Sequence, residues 1–124
     1  MAQVRVSLSE RLVEGIAGRD EAAIAACFAD DARFRALVPP GLRERTGASD
    51  IAALVTAWFR DSTEFDLVDM RADEVGDRVH ISYRFAGVEE GDPYIIEQQL
   101  FCTVSNEKIE RADLLCSGFL SRPR

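Results

Sequence analysis

Long runs in which apolar and polar residues alternate dominate the second half of the chain and predict β-strands. The run Pro93–Val104 alternates in this way, and a short polar break separates it from a second run, Ile109–Phe119. Upstream, Gly76-Asp77 predicts a two-residue hairpin turn between strands at Glu64–Val75 and Arg78–Gly87. These four runs together predict one curved antiparallel sheet.

The first half of the chain carries helical spacing instead, interrupted by a short strand. The S-x-x-E pattern at Ser7–Glu10 predicts a capping box and a first helix that ends near Gly18. Asp20 predicts the N-cap of a second helix, and a third helix is expected to begin near Ser49. The strand Ala32–Val38 is predicted between them. Three helices in the N-terminal half, followed by strands, predict an α+β fold with the helices on one side of the sheet.

Length, composition and charge narrow the class of protein. The 124 residues suit one domain spanning 1–124, and 47% apolar with 30% charged residues disfavours disorder. A net charge of −7 disfavours contact with phosphate backbones, so no nucleic-acid partner is expected. Because there is no long apolar run and no signal-peptide pattern at the N-terminus, we expect no membrane association and a cytoplasmic location.

The cysteines indicate buried thiols in a reducing compartment. Cys27, Cys102 and Cys116 lie in apolar patterns, and none belongs to a C-x-x-C pair. A reactive thiol is the alternative; it would need a nearby base, and His80 is the only histidine of the sequence. A single histidine also disfavours a zinc site, so neither a metal nor a cofactor is expected.

The order of elements and two local motifs resemble the nuclear-transport-factor-2-like superfamily, which includes ketosteroid isomerases and SnoaL-like polyketide cyclases. The motifs are the helix-to-strand junction Phe28–Phe34 (FADDARF) and the C-terminal run Ile109–Phe119 (IERADLLCSGF), and the resemblance covers about Ser7 to Phe119. It implies a cone, in which a strongly curved sheet wraps around a pocket and the helices close one side. It also implies dimerisation through the outer face of the sheet.

Most catalytic positions of the resembling families carry residues without acid–base chemistry in this chain. In ketosteroid isomerases a carboxylate on the first strand moves the substrate proton, while a tyrosine and a protonated aspartic acid hold the oxyanion. By this resemblance those positions fall on Ala36, Leu12 and Gln99. The acid of SnoaL-like cyclases and limonene-epoxide hydrolases falls on Leu114, and the His or Trp position two residues earlier falls on Ala112. Ordinary ketosteroid isomerase activity is therefore disfavoured.

Strand alternation and the resemblance together predict a mostly apolar ligand pocket with a few polar groups. Its predicted members are Leu12, Phe34, Ala36, Trp58, Arg84, Glu97, Gln99, Ala112, Leu114 and Cys116. Glu97 is the best candidate for an acid or base, because burial disfavours its charged form unless Arg84 pairs with it. Gln99 is the candidate that orients a ligand carbonyl. A structural Glu97–Arg84 pair is the alternative, and Asp113 would enter the pocket only through a β-bulge.

Three functions remain open from the sequence. The first is a pocket protein that binds a small, largely apolar molecule, polycyclic or carbonyl-bearing, without transforming it. The second is a SnoaL-like isomerase, cyclase or hydrolase with Glu97 as acid or base. The third is a protein-interaction module that uses the outer sheet face. Apolar residues expected on that face predict a homodimer; they are Tyr94, Ile96, Leu100 and Cys102.

Overall fold

The computed structural model describes the backbone of residues 2–122 and the side chains of residues 7–122. It has the predicted α+β fold, in which helices cover a curved sheet that does not close into a barrel. The elements are α1 (Ala2–Ala17), α2 (Glu21–Ala25), β1 (Phe28–Val38), β2 (Gly41–Thr46), α3 (Ala48–Phe59), β3 (Ser62–Val75), β4 (Arg78–Glu89), β5 (Asp92–Ser105), β6 (Lys108–Cys116) and β7 (Leu120–Ser121). None of the described helices is both long enough and apolar enough to cross a membrane.

The strands form one sheet in the order β2-β1-β6-β5-β4-β3, and β7 pairs with β5. Neighbouring strands are antiparallel except β1 and β6, which run parallel. The predicted antiparallel sheet of the four C-terminal runs is confirmed for β3, β4, β5 and β6. β7 lies along the same edge of β5 as β6, because β4 occupies the other edge. β6 and β7 thus follow one another along the same edge of β5, and the strand is interrupted at Ser117–Phe119.

Alternation along each strand sends one set of side chains toward the helices. We call this covered side of the sheet the inner face and the opposite side the outer face. The inner-face residues of β4 and β5 are almost fully buried, with at most 4% of their surface exposed. They are Val79, Ile81, Tyr83 and Phe85 on β4, and Tyr94, Ile96, Gln98, Leu100 and Cys102 on β5.

A one-residue bulge in β6 sets the register between β5 and β6. Val104 lies opposite Ile109, whereas Thr103 lies opposite Arg111, so Glu110 is the extra residue. A bulge of this kind leaves its extra residue without a partner in the ladder.

The register beyond the bulge determines which side chains share a face. Leu100 lies opposite Leu114, and both are buried on the inner face. A ladder counted without the bulge would place Gln99 opposite Leu114 instead. Because side chains alternate with a period of two, that difference of one residue exchanges the two faces of the strand.

The predicted helices are confirmed except at the start of the first one. α1 already includes Ser7, so the predicted capping box at this position is wrong. Asp20 caps α2 as predicted, and its carboxylate accepts a hydrogen bond from the Ala23 N–H at 3.1 Å. α2 is short because the chain turns into β1 at Phe28, which lies opposite Ile109 of β6.

Candidate functional site

The apolar members of the predicted pocket lie together on the inner face and in α1. Leu12, Phe34, Ala36, Ala112 and Leu114 are each at most 2% exposed. Across the β1–β6 pair, Phe34 lies opposite Ala112 and Ala36 lies opposite Leu114. These residues belong to the packed core between the helices and the sheet.

Trp58 of α3 packs against this cluster but is only half-buried. Its ring lies 6.4 Å from that of Phe34 and 6.5 Å from that of Phe59, centroid to centroid. The tryptophan therefore lies between the core and the surface.

The polar members of the predicted pocket lie on the outer face, so their predicted placement is wrong. Arg84 Nε donates to Glu97 Oε1 at 2.6 Å, and the two side chains are 48% and 45% exposed. Gln99 is exposed, and its Oε1 lies 2.9 Å from His80 Nε2. The bulge at Glu110 is the reason. Counting residues along the β5–β6 ladder without the bulge assigns the side chains of β5 to the wrong faces. An exposed ion pair of this kind contributes little to stability.

The predicted dimer face is wrong for the same reason. Tyr94, Ile96, Leu100 and Cys102 are 4%, 1%, 2% and 0% exposed, and they face the helices. Burial raises the pKa of the Cys102 thiol to about 12, since a thiolate there would lose its hydration. These four residues form core, not a surface.

Asp113 does not enter the inner face. It lies opposite Phe101 on the outer face, and its Oδ2 is 3.8 Å from Arg78 Nη1 and 3.7 Å from Arg111 Nε. The bulge at Glu110 precedes it and leaves Ala112 and Leu114 facing inward.

A row of three side chains interrupts the otherwise apolar inner face. Tyr83, Gln98 and Cys116 lie opposite one another on β4, β5 and β6. The Tyr83 hydroxyl donates to Gln98 Oε1 at 2.6 Å, and Gln98 Nε2 donates to Cys116 Sγ at 3.4 Å. Tyr83 and Gln98 are only 3% and 1% exposed. We call these three residues the polar row.

The chemistry of the amide sets the direction of the hydrogen bonds in the polar row. The Gln98 carbonyl oxygen can only accept, so the Tyr83 hydroxyl donates to it. Burial raises the pKa of Tyr83 well above its ordinary value, because a buried phenolate would be poorly solvated, so this donor stays protonated. The Gln98 amide then presents its N–H groups away from Tyr83, toward Cys116.

The polar row reaches the surface at Cys116. This residue is half-buried, and its Sγ also accepts a hydrogen bond from the Gly118 N–H at 3.3 Å. Gly118 packs closely against Pro39, which follows the last residue of β1, Val38. The rim of the inner face nearest the polar row is therefore built from the end of β1 and the segment that follows β6.

Sequence reasoning missed Tyr83 and Gln98 as site residues, although the chain carried a signal for Gln98. It is the single polar residue in the stripe Tyr94, Ile96, Leu100 and Cys102. A polar side chain within a buried stripe requires a partner. Tyr83, on the apolar face of the neighbouring strand, is that partner.

A large surface cleft lies elsewhere on the molecule. It has a volume of about 690 Å³ and is lined by residues of α2, β1, β2 and the start of α3, together with Lys108. It contains no member of the polar row. No group of His, Cys, Asp and Glu side chains in the described part of the chain is placed to hold a metal ion.

A family model described as a SnoaL-like domain matches residues 9–112. The chain belongs to the SnoaL-like family. No curated protein sequence matches it. In this SnoaL-like domain, Leu12, Ala36 and Leu114 face inward as the family resemblance implies, whereas the inward residue beside Gln99 is Gln98.

Solved structures share the fold of this SnoaL-like domain at low sequence identity. A candidate polyketide cyclase from Xanthomonas campestris is 22% identical, with a TM-score of 0.74 over 91% of this chain and 90% of its own. A candidate isomerase from Bacillus subtilis is 11% identical, with a TM-score of 0.77 over 93% and 87%. An epoxide hydrolase from M. tuberculosis is 14% identical, with a TM-score of 0.71 over 93% and 84%.

Proposed function

We propose that this SnoaL-like domain binds a small, largely apolar molecule with a carbonyl oxygen, between the helices and the inner face. The observation that carries the proposal is the buried polar row. Placing Tyr83 and Gln98 in the core costs free energy that apolar residues of similar size would not cost. A few polar groups converging in apolar surroundings are typical of small-ligand sites.

The direction of the hydrogen bonds favours a ligand that accepts rather than donates. The Gln98 amide and the Gly118 N–H both donate to Cys116 Sγ, and a thiol sulfur is a weak acceptor. A carbonyl oxygen near this point would accept stronger hydrogen bonds from the same two groups. The neighbouring Val38 and Leu114 are apolar, which favours a hydrocarbon or ring skeleton around that oxygen.

Catalysis by an isomerase, cyclase or hydrolase is the second candidate. Two converging N–H donors also stabilise negative charge that develops on a carbonyl oxygen, and similar structures carry such names. Proton transfer needs an acid or base within reach, however. No carboxylate is among the buried side chains of the described region. The hydroxyl of the polar row, Tyr83, already donates to Gln98 and has a pKa that burial raises. Binding is therefore preferred over catalysis.

Fluorescence titration with prodan, a naphthalene that carries a propionyl group, tests the proposal. We expect the native protein to bind prodan and Gln98→Leu to bind it about tenfold more weakly, the value of one hydrogen bond. Gln99→Leu is the matched control, because Gln99 is the adjacent residue on the outer face. It should bind as the native protein does.

Two results would contradict the proposal. One is equal affinity of the Gln98 and Gln99 variants for prodan. The other is the absence both of prodan binding and of any small molecule retained in native mass spectra. Circular dichroism of each variant checks that the fold is kept.

We further propose that the partner of this domain is a second copy, which binds through the outer face. Leu37, Leu42 and Leu115 lie side by side on β1, β2 and β6, and they are 50%, 46% and 47% exposed. The adjacent row places Arg35 between Glu44 and Asp113. An apolar patch beside charges of both signs is suited to a two-fold symmetric contact.

A further inference from the structure

We infer that the segment Ser117–Arg122, which we call the strap, is the gate of the proposed binding site, with Phe119 as its movable plug. The inference rests on the binding function proposed above and adds how the ligand enters. It is carried by three features: the way the strap is held, the position of the Phe119 ring, and a hydrogen-bond acceptor that the strap shares with the polar row.

The strap is held to the sheet at its two ends. At one end the Ser117 N–H donates to the Glu97 carbonyl at 2.9 Å; at the other the Arg122 N–H donates to the Pro93 carbonyl at 3.1 Å. β7 adds only a two-residue pairing with β5. Between these points the strand pairing lapses over Ser117–Phe119. Segments with few backbone hydrogen bonds and little burial open at a much lower free energy than the whole fold.

The Phe119 ring covers buried aromatic rings while lying partly in water. It contacts Tyr94 edge-on at 4.8 Å and Phe59 at 6.2 Å between centroids, yet 45% of Phe119 is exposed. From Phe59 the ring contacts continue to Phe85 at 5.9 Å and from there to Tyr83 at 5.4 Å. The plug therefore stands at the outer end of a continuous aromatic path that leads to the polar row.

Gly118 links the strap directly to the polar row. Its N–H donates to Cys116 Sγ, the atom that also accepts from Gln98. In the closed strap, Cys116 Sγ accepts the Gly118 N–H, so an incoming ligand oxygen competes with this sulfur for that donor. Gly118 has a φ of +79°, and a Cβ atom there would lie 3.1 Å from Pro39 Cγ. Glycine is required for this closed conformation, because a side chain would be strained by both the φ angle and the contact.

The reactivity of Cys116 toward the thiol reagent DTNB reports strap opening without any ligand. Cys27 and Cys102 are 2% and 0% exposed, so they react slowly in the folded protein. We expect Phe119→Ala to speed the labelling of Cys116 by about tenfold, the value of the lost ring contacts. Gly118→Ala should also speed it, by straining the closed strap. Phe119→Leu retains apolar bulk and should label close to the native rate, and Cys116→Ser should remove the signal.

Stopped-flow mixing with prodan then tests whether opening of the strap controls the rate at which a ligand enters the proposed site. Association and dissociation should both accelerate in Phe119→Ala and Gly118→Ala, in the same order as the thiol labelling. If Cys116 is labelled at the native rate in both variants, the proposal that the strap is a gate is overturned, whatever the affinity for prodan. Faster labelling without prodan binding by any variant would support the strap motion and overturn the binding function. Gly118→Ala alone provides the comparison if Phe119→Ala does not fold.

Discussion

Tyr83 and Gln98 satisfy each other's polar groups in a part of the core that offers few other partners. The hydroxyl and the amide oxygen are 2.6 Å apart, and both side chains are nearly inaccessible to water. Removing one partner leaves the other buried and unpaired, which costs about 1–3 kcal/mol. The polar row is therefore one unit in which each residue is needed for the other.

Alkaline unfolding measures the ionisation of Tyr83. Its pKa is raised in the folded protein by burial, so its contribution to stability is fully present below the unfolded value of about 10. That contribution is lost as the pH rises through the folded pKa. We expect the free energy of unfolding to fall above about pH 10, and to fall less steeply in Tyr83→Phe. Urea titrations at a series of alkaline pH values measure both slopes.

In Tyr83→Phe the free energy of unfolding should still fall as the pH rises. Burial also raises the pKa values of Tyr94 and Cys102, and both groups remain in the variant. Identical slopes in the native protein and in Tyr83→Phe would contradict the expected role of Tyr83.

At the scale of elements, the hairpins and the alternation were predicted from the sequence, but the register of β6 against β5 was missed. The turn Asn106-Glu107 has positive φ at both residues, 53° and 63°, and fixes Ser105 opposite Lys108. Counting onward from the turn without a bulge gives Gln99, rather than Leu100, opposite Leu114. The error arises at a single residue and propagates along the whole strand.

One local signal for the bulge was present in the sequence. Ile109, Ala112 and Leu114 are all buried, and the step from Ile109 to Ala112 is odd, which a regular strand does not allow. Alternation in β3 is likewise disturbed by an irregularity between Leu67 and Asp69. Apolar spacing that breaks period two therefore indicates a bulge when the flanking turns are fixed.

At Gly87, β3, β4 and β5 pack closely together. A Cβ atom there would lie 2.4 Å from the Tyr94 hydroxyl and 2.7 Å from the Glu64 carbonyl oxygen. Gly87→Ala should therefore displace Tyr94, disturb its 2.6 Å hydrogen bond with Ser62, and lower the free energy of unfolding by about 1–3 kcal/mol.

Gly41→Ala is the control for this prediction. A Cβ atom at Gly41 meets only the flexible Arg43 side chain, at 3.4 Å. That variant should stay within about 0.5 kcal/mol of the native protein in urea titration. Equal stability of the two variants would show that β4 has room beside Tyr94.

At the scale of the whole molecule, the fold class and family were predictable because the order of elements and two local motifs resemble those of a known superfamily. The proposed site was harder to predict, because its polar residues do not occupy the positions that the family resemblance assigns to catalytic groups. Ala36, Leu12 and Leu114 keep the inward orientation of those positions without their chemistry. The polar group on the inner face of β5 is the Gln98 amide, one strand position from Gln99.

The outer face predicts a dimer that a single charge should break. Leu115 is 47% exposed within the leucine patch, so Leu115→Asp places a carboxylate in the proposed contact. We expect sedimentation velocity to show a dimer for the native protein and a monomer for this variant. Val75→Asp is the control, since Val75 is 59% exposed at the far end of β3. A native protein that sediments as a monomer would contradict the proposal and favour a different protein on this surface.

The bulge at Glu110 also bears on how the chain is compared with its relatives. Glu110 is exposed and has no partner in the ladder, and the pairing of Thr103 with Arg111 holds on the far side of it. A relative that lacks this one codon would keep Leu100 opposite Leu114 and the same interior. Such a relative would therefore have a hairpin shorter by one residue and the same inner face. An alignment that places the gap at another position would assign Gln99, instead of Gln98, to the inner face.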